Sequence, residues 1–112
     1  MQETSREDRV TNEYDIYIPL VMNDGSSVPA AAVEAVKHEL RDRFGGFTYF
    51  PHAAKGEWRI GSVTFRDDIA VLTVLAEAES ETAAYFASLK QRLKRELEQK
   101  DLLIIKRDVN IL

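Results

Sequence analysis

The chain has 112 residues, 45% of them hydrophobic and 30% charged, with a net charge of −4. That length holds one domain with one hydrophobic core, and the balance is that of a folded globular protein. The lack of cysteine excludes disulfide staples, a thiolate nucleophile and cysteine-built zinc sites. The acidic balance disfavours wholesale attraction to a phosphate backbone, so nucleic acid is not an expected partner.

The opening "MQETSREDRVTN" has no periodicity and no apolar run. It predicts a mobile N-terminal arm over residues 1–12, followed by a single α+β domain over 13–112. No stretch approaches the roughly 20 apolar residues of a membrane span. No membrane role is expected, and a cytoplasmic location fits a chain without cysteine.

In "YDIYIPLVM", Tyr14, Ile16, Ile18, Leu20 and Met22 alternate with the other residues at the period of a strand. Pro19 has no backbone N–H to give a sheet ladder, so either the strand bulges there or one neighbour stops pairing before it. "NDGSS" reads as a turn. Val33, Val36, Leu40 and Phe44 then form one apolar helical stripe, with Ser27 as N-cap, Pro29 in the first turn and Gly45 as a left-handed stop.

"FTYF" predicts a short strand, "PHAAKGEW" a loop and "WRIGSVTF" a further extended segment. "IAVLTVLAEA" is a strand with two mostly apolar faces, which implies cover on both sides. Ser80 caps a second helix running to about Gln99, with Phe86, Leu89, Leu93 and Leu97 on one face. In the closing strand Leu103, Ile105, Val109 and Ile111 share a face that Arg107 interrupts.

This order predicts a ferredoxin-like βαββαβ sandwich: an antiparallel sheet with two helices on one face and room for an extra strand in the central hairpin. "YDIYIPLVMNDG", "LRDRFGGFT", the tryptophan after a short loop, "FRDD" and the final "VNIL" resemble a group of small bacterial proteins of unassigned activity. The resemblance covers nearly the whole chain from Tyr14 onward. It implies a common fold and transfers no catalytic residue.

Few residues point to chemistry. His52, beside Glu57 in the expected loop, is the acid/base candidate, because a histidine titrates near neutrality and a carboxylate can orient it. Tyr49, Trp58 and Arg59 are ligand-binding candidates that would shape and charge a pocket around it. Alternation places Phe47 and Tyr49 on one strand face and Phe50 on the other, so some of these aromatics belong to the core. His38 falls on the polar side of the first helix, four residues from Glu34 and from Asp42, in surface ion-pair spacing. Two isolated histidines and no ligand spacing predict no metal site.

The basic run "KQRLKRELEQK" carries interleaved glutamates and suits the negative end of a helix, so a solvated face is expected there. Phosphate-binding glycine loops and a nucleophile elbow are both missing from the sequence, and no cofactor is expected.

Missing catalytic motifs and surplus apolar strand surface together predict a domain that acts by association, as a homodimer or partner-binding module. The alternative is a small cofactorless enzyme, an isomerase, hydrolase or monooxygenase-like protein, using His52 as acid/base on an unknown small molecule.

Overall fold

The computed structural model describes residues 11–22, 24–54, 57–60, 63–66 and 69–112, and for 54, 57, 58, 60 and 63–66 the backbone alone. The element order is β1 (Thr11–Pro19), α1 (Ala30–Phe44), β2 (Thr48–Ala54), β3 (Glu57–Ile60), β4 (Val63–Arg66), β5 (Ile69–Glu77), α2 (Ser80–Glu96) and β6 (Leu103–Val109). The expected arm over residues 1–12 lies outside the described residues up to position 10. Thr11 and Asn12 already belong to β1.

Four strands form an antiparallel sheet in the order β2-β5-β1-β6. Together with two helices this makes an α+β architecture compatible with the expected ferredoxin-like fold. The central connection contains two strands, β3 and β4, which pair with each other in a separate hairpin. "WRIGSVTF" is thus divided between two short strands, and the expected "PHAAKGEW" loop begins as strand, because β2 continues to Ala54 past a register shift after Phe50.

Alternation decides which face of the sheet meets the helices. Tyr14, Ile16 and Ile18 lie opposite Val74, Leu72 and Ala70 on β5, and these six share one buried cluster with residues of both helices. Val33, Val36 and Leu40 come from α1, and Phe86, Leu89 and Leu93 from α2, the stripes their spacing predicts. Aromatic rings extend this core: Tyr14 stacks on Phe86 at 4.0 Å and Phe86 on Phe44 at 5.4 Å. Phe47 and Tyr49 pack against the same cluster.

Local signals account for most boundaries. Gly45 ends α1 at φ 86°, donating its N–H to the Arg41 carbonyl at 2.8 Å, which only glycine does without a Cβ penalty. Pro29, rather than Ser27, occupies the N-cap position of α1. Glu79 takes that position at α2, and Ser80 is the first helical residue. Pro19 is tolerated as expected: it lies opposite Ile69 on β5, whereas β6 pairs with β1 only as far as Tyr17.

Leu72 is fully buried and Leu75, on the same strand, is 49% exposed. Leu72→Ala is expected to lose roughly 2–5 kcal/mol of stability, the usual result of a cavity in a core. Leu75→Ala should stay within about 0.5 kcal/mol of the parent. Urea unfolding of the two variants measures both.

Candidate active site

The helix-distal face of the sheet was expected to be an apolar surplus seeking a partner. Register instead divides it. Toward one end Tyr17, Val71 and Phe50 lie in one row, with Pro19 and Ile69 in the next. Ile69 and Val71 are already buried, so among these residues only Phe50 leaves a large side chain half exposed. Toward the other end the rows are polar: Asp15 lies between Thr73 and Ile105, and Glu13 between Leu75 and Arg107.

Asp15 is 3% exposed in the middle of the sheet. A carboxylate there requires partners, since an unpaired buried charge costs several kcal/mol. Thr73 donates its hydroxyl to Oδ1 at 2.8 Å, and Arg107 donates from Nη2 and Nε to Oδ2 at 2.6 and 3.1 Å. The same Arg107 Nε reaches Glu13 Oε2 at 3.2 Å. One guanidinium therefore serves two carboxylates standing two residues apart on β1.

The pair does not share it equally. A hydrogen bond with Asp15, open to the protonated form, together with partial burial and repulsion by Asp15, raises the Glu13 carboxyl above its ordinary range; Arg107 opposes this without reversing it. Carboxylates adjusted in this way by a fixed neighbour are the usual raw material of acid–base catalysis.

A cleft of about 440 Å³ opens beside this end of the sheet, between the last turn of α1, the end of β5 and the start of α2. Leu75, directly opposite Glu13 in the β1–β5 register, is one of its walls. Glu13 itself is not one of the lining residues, because its side chain faces the side of the sheet away from the two helices.

Three of the residues nominated from sequence, His52, Tyr49 and Arg59, have described side chains, and these lie outside the polar cluster. His52 lies on β2, exposed, and Arg59 on β3, exposed; neither lines the cleft. Glu57 and Trp58 start β3, and their side chains lie outside the described residues. Tyr49 is half-buried on the helix side of β2, with Lys37 Nζ 3.8 Å from its ring centroid. Of the three whose side chains are described, His52, Arg59 and Tyr49, none lines the cleft. His38 meets Arg41, one turn away, at 2.5 Å from Nδ1.

In the basic run, Arg92 donates to both oxygens of Glu39 on α1 at 2.9 and 2.7 Å, and Lys90 pairs with Asp101 at 3.6 Å. Burial pushes the Tyr85 phenol up, and Glu39 beside it adds to the effect. No group of three or more metal-ligating side chains occurs among the described residues. No described helix is long and apolar enough to cross a membrane.

No protein-family model matches the chain, and no curated protein matches it. Among solved structures, a phage SAM lyase in complex with S-methyl-5′-thioadenosine is similar. The TM-score is 0.63 and the identity 12%, over 98% of this chain and 90% of that one. At that identity the likeness speaks for the fold. The expectation of a domain acting chiefly by association is corrected here. A solved structure sharing this fold over nearly the whole chain is an enzyme, and the face expected to be an apolar docking surface carries a buried, ion-paired carboxylate at its centre.

The raised Glu13 carboxyl fixes a pH dependence. A raised value in the fold means the folded chain favours the protonated form, so this contribution to stability is present below 4.5 and is lost as pH rises through the raised value. Glu13→Gln should therefore gain on the parent between pH 4 and pH 7 in urea unfolding. Arg107→Ala, which strips Asp15 of its main partner, should lower the midpoint of urea unfolding at pH 7.

Proposed function

We propose that the chain is a small cofactorless enzyme that moves a proton at the helix-distal face of its sheet. Glu13 is the base, and Asp15, Thr73 and Arg107 are positioning residues. The observation that carries this reading is the Asp15 side chain clamped from both neighbouring strands, with Arg107 bridging it to a half-buried carboxyl of raised proton affinity. A general base works best when its affinity for protons approaches the working pH, and the Asp15 neighbour moves Glu13 in that direction. The strand order reads as that of the βαββαβ sandwich with the β3–β4 hairpin added between its second and third strands, which supports placing this chain among compact enzymes of that architecture.

Both oxygens of Asp15 are occupied by donors, so its role is to hold Arg107 and the Glu13 side chain in place. Glu13 accepts a hydrogen bond from Arg107 Nε and is the more accessible of the two carboxylates. It is the group that can meet a substrate.

The similar structure makes S-adenosylmethionine the first compound to assay, with its loss followed by chromatography. The expected result is consumption by the parent and a rate about 10²–10⁴-fold lower in Glu13→Gln, the range of general acid–base contributions. The parent rate should also decline as pH falls below the raised Glu13 value. A parent-like rate in Glu13→Gln together with a lost rate in His52→Gln would return the base role to His52.

A further inference from the structure

Arg107 is not used up by the cluster it holds together. Its Nε and Nη2 donate to Asp15 Oδ2 at 3.1 and 2.6 Å, and Nε also donates to Glu13 Oε2 at 3.2 Å. None of these contacts with described residues uses Nη1, and the side chain is 51% exposed. A guanidinium carries its N–H donors in a rigid plane, so this one keeps an outward edge with unused donors beside Glu13.

Removing a proton from carbon leaves an electron pair that needs a positive partner, and Arg107 supplies the positive charge at this site. The charge balance narrows the substrate. Glu13 and Asp15 against Arg107 leave a surplus negative charge, which repels an anionic substrate. With an uncharged carbonyl compound the sum stays constant: as Glu13 gains the proton, the charge it loses reappears on the substrate oxygen. Arg107 then exchanges a carboxylate neighbour for an oxyanion and keeps its hold on Asp15. The bonds to Asp15 fix the guanidinium before any substrate arrives, as electrostatic stabilisation of a transition state requires. Leu75, opposite Glu13 on β5 and half exposed, offers apolar surface on the same face.

We infer that Arg107 is a second catalytic residue, the oxyanion-binding group of the site, and that the substrate is an uncharged carbonyl compound with an adjacent C–H bond and an apolar arm. The carbonyl oxygen accepts from Nη1, and the arm rests on Leu75. Glu13 removes the proton next to the carbonyl. The C–H electron pair forms a C=C bond and the carbonyl π pair moves onto oxygen, giving an enolate on Arg107 and a protonated Glu13. Return of the proton to the same carbon, or to a conjugated one, completes exchange or isomerisation without a co-reactant. This inference rests on the proposed role of Glu13.

The test uses the full chain and follows by NMR the exchange of β-tetralone protons for deuterium in heavy water. The parent is expected to exceed the buffer rate. Arg107→Lys keeps the charge and a donor for Asp15 but loses the outward edge. It should lower kcat by about 10²-fold or more and leave KM near that of the parent, because the interaction forms as the oxyanion develops. The anion phenylpyruvate should gain less over its own buffer rate than β-tetralone does, and least at low salt. Because Arg107→Lys also disturbs Asp15, the parent supplies a second reading: β-naphthol, an aromatic mimic of the enol, should shift the Arg107 guanidinium resonances and the Leu75 methyls.

Exchange of β-tetralone at the buffer rate overturns the inference. So does a parent-like kcat in Arg107→Lys, an equal gain for phenylpyruvate, or β-naphthol shifts confined to other residues. Glu13→Gln separates the two readings. Exchange that survives in Glu13→Gln and falls in Arg107→Lys overturns the base role of Glu13 and leaves Arg107 standing. Consumption of S-adenosylmethionine by a parent that exchanges no ketone protons does the reverse.

Discussion

A carboxylate in the centre of a sheet is the constraint on which this molecule turns. Asp15 sits on β1, one of the two inner strands, and its partners come one from each neighbour: Thr73 on β5 and Arg107 on β6. Slipping either pairing by one residue would carry the partner to the opposite face and leave Asp15 buried without a donor. The contact therefore specifies the register of three strands at once, and that register is what sets Glu13 opposite Leu75. The polar cluster contributes more to uniqueness of the fold than to its net stability, since a buried ion pair returns little beyond the cost of desolvating it.

The second constraint is geometric. α1 ends at Gly45, β2 starts three residues later, and the pairing of β2 with β5 begins only at Thr73. The helix end thus stands where another pair of strand residues would have closed the sheet. The helices are held to each other by Arg92 and Glu39 and to the sheet by the shared apolar cluster. The cleft is accordingly framed by regular elements on each side, which favours a pocket formed before any ligand arrives.

Much of the fold was legible in the chain. Alternation in "YDIYIPLVM" and "IAVLTVLAEA", the helical stripes, the stop at Gly45 and the consequence of Pro19 all correspond to observed elements. These signals are local, and local periodicity survives folding wherever one face is buried. The site was not legible by the same means. His52 attracted attention through residue type, whereas the polar cluster is made by register between residues 92 and 58 positions apart. Its traces were visible all the same: Glu13 and Asp15 occupy the minority face of the first strand, and Arg107 breaks the apolar face of the last. Two acids and a base, each out of pattern on strands predicted to be neighbours, are a signal that pairing turns into a site.

The division of the helix-distal face explains why chemistry belongs at one end of it. The helix side of the sheet is filled by Ile16, Leu72 and their neighbours, and nothing polar can work there without leaving a core group unpaired. On the other side, the rows through Tyr17 and Pro19 carry Val71 and Ile69, both buried, so that end is committed to packing. Among the described residues of this face, the rows through Glu13 and Asp15 combine ionisable groups with partial burial. Partial burial matters here: a carboxylate in bulk water would keep its ordinary proton affinity, and one sealed like Asp15 could not reach a substrate. Glu13 stands between those limits, with its side chain 27% exposed beside a neighbour held at 5%, and that intermediate position is what the strand register of the whole sheet secures.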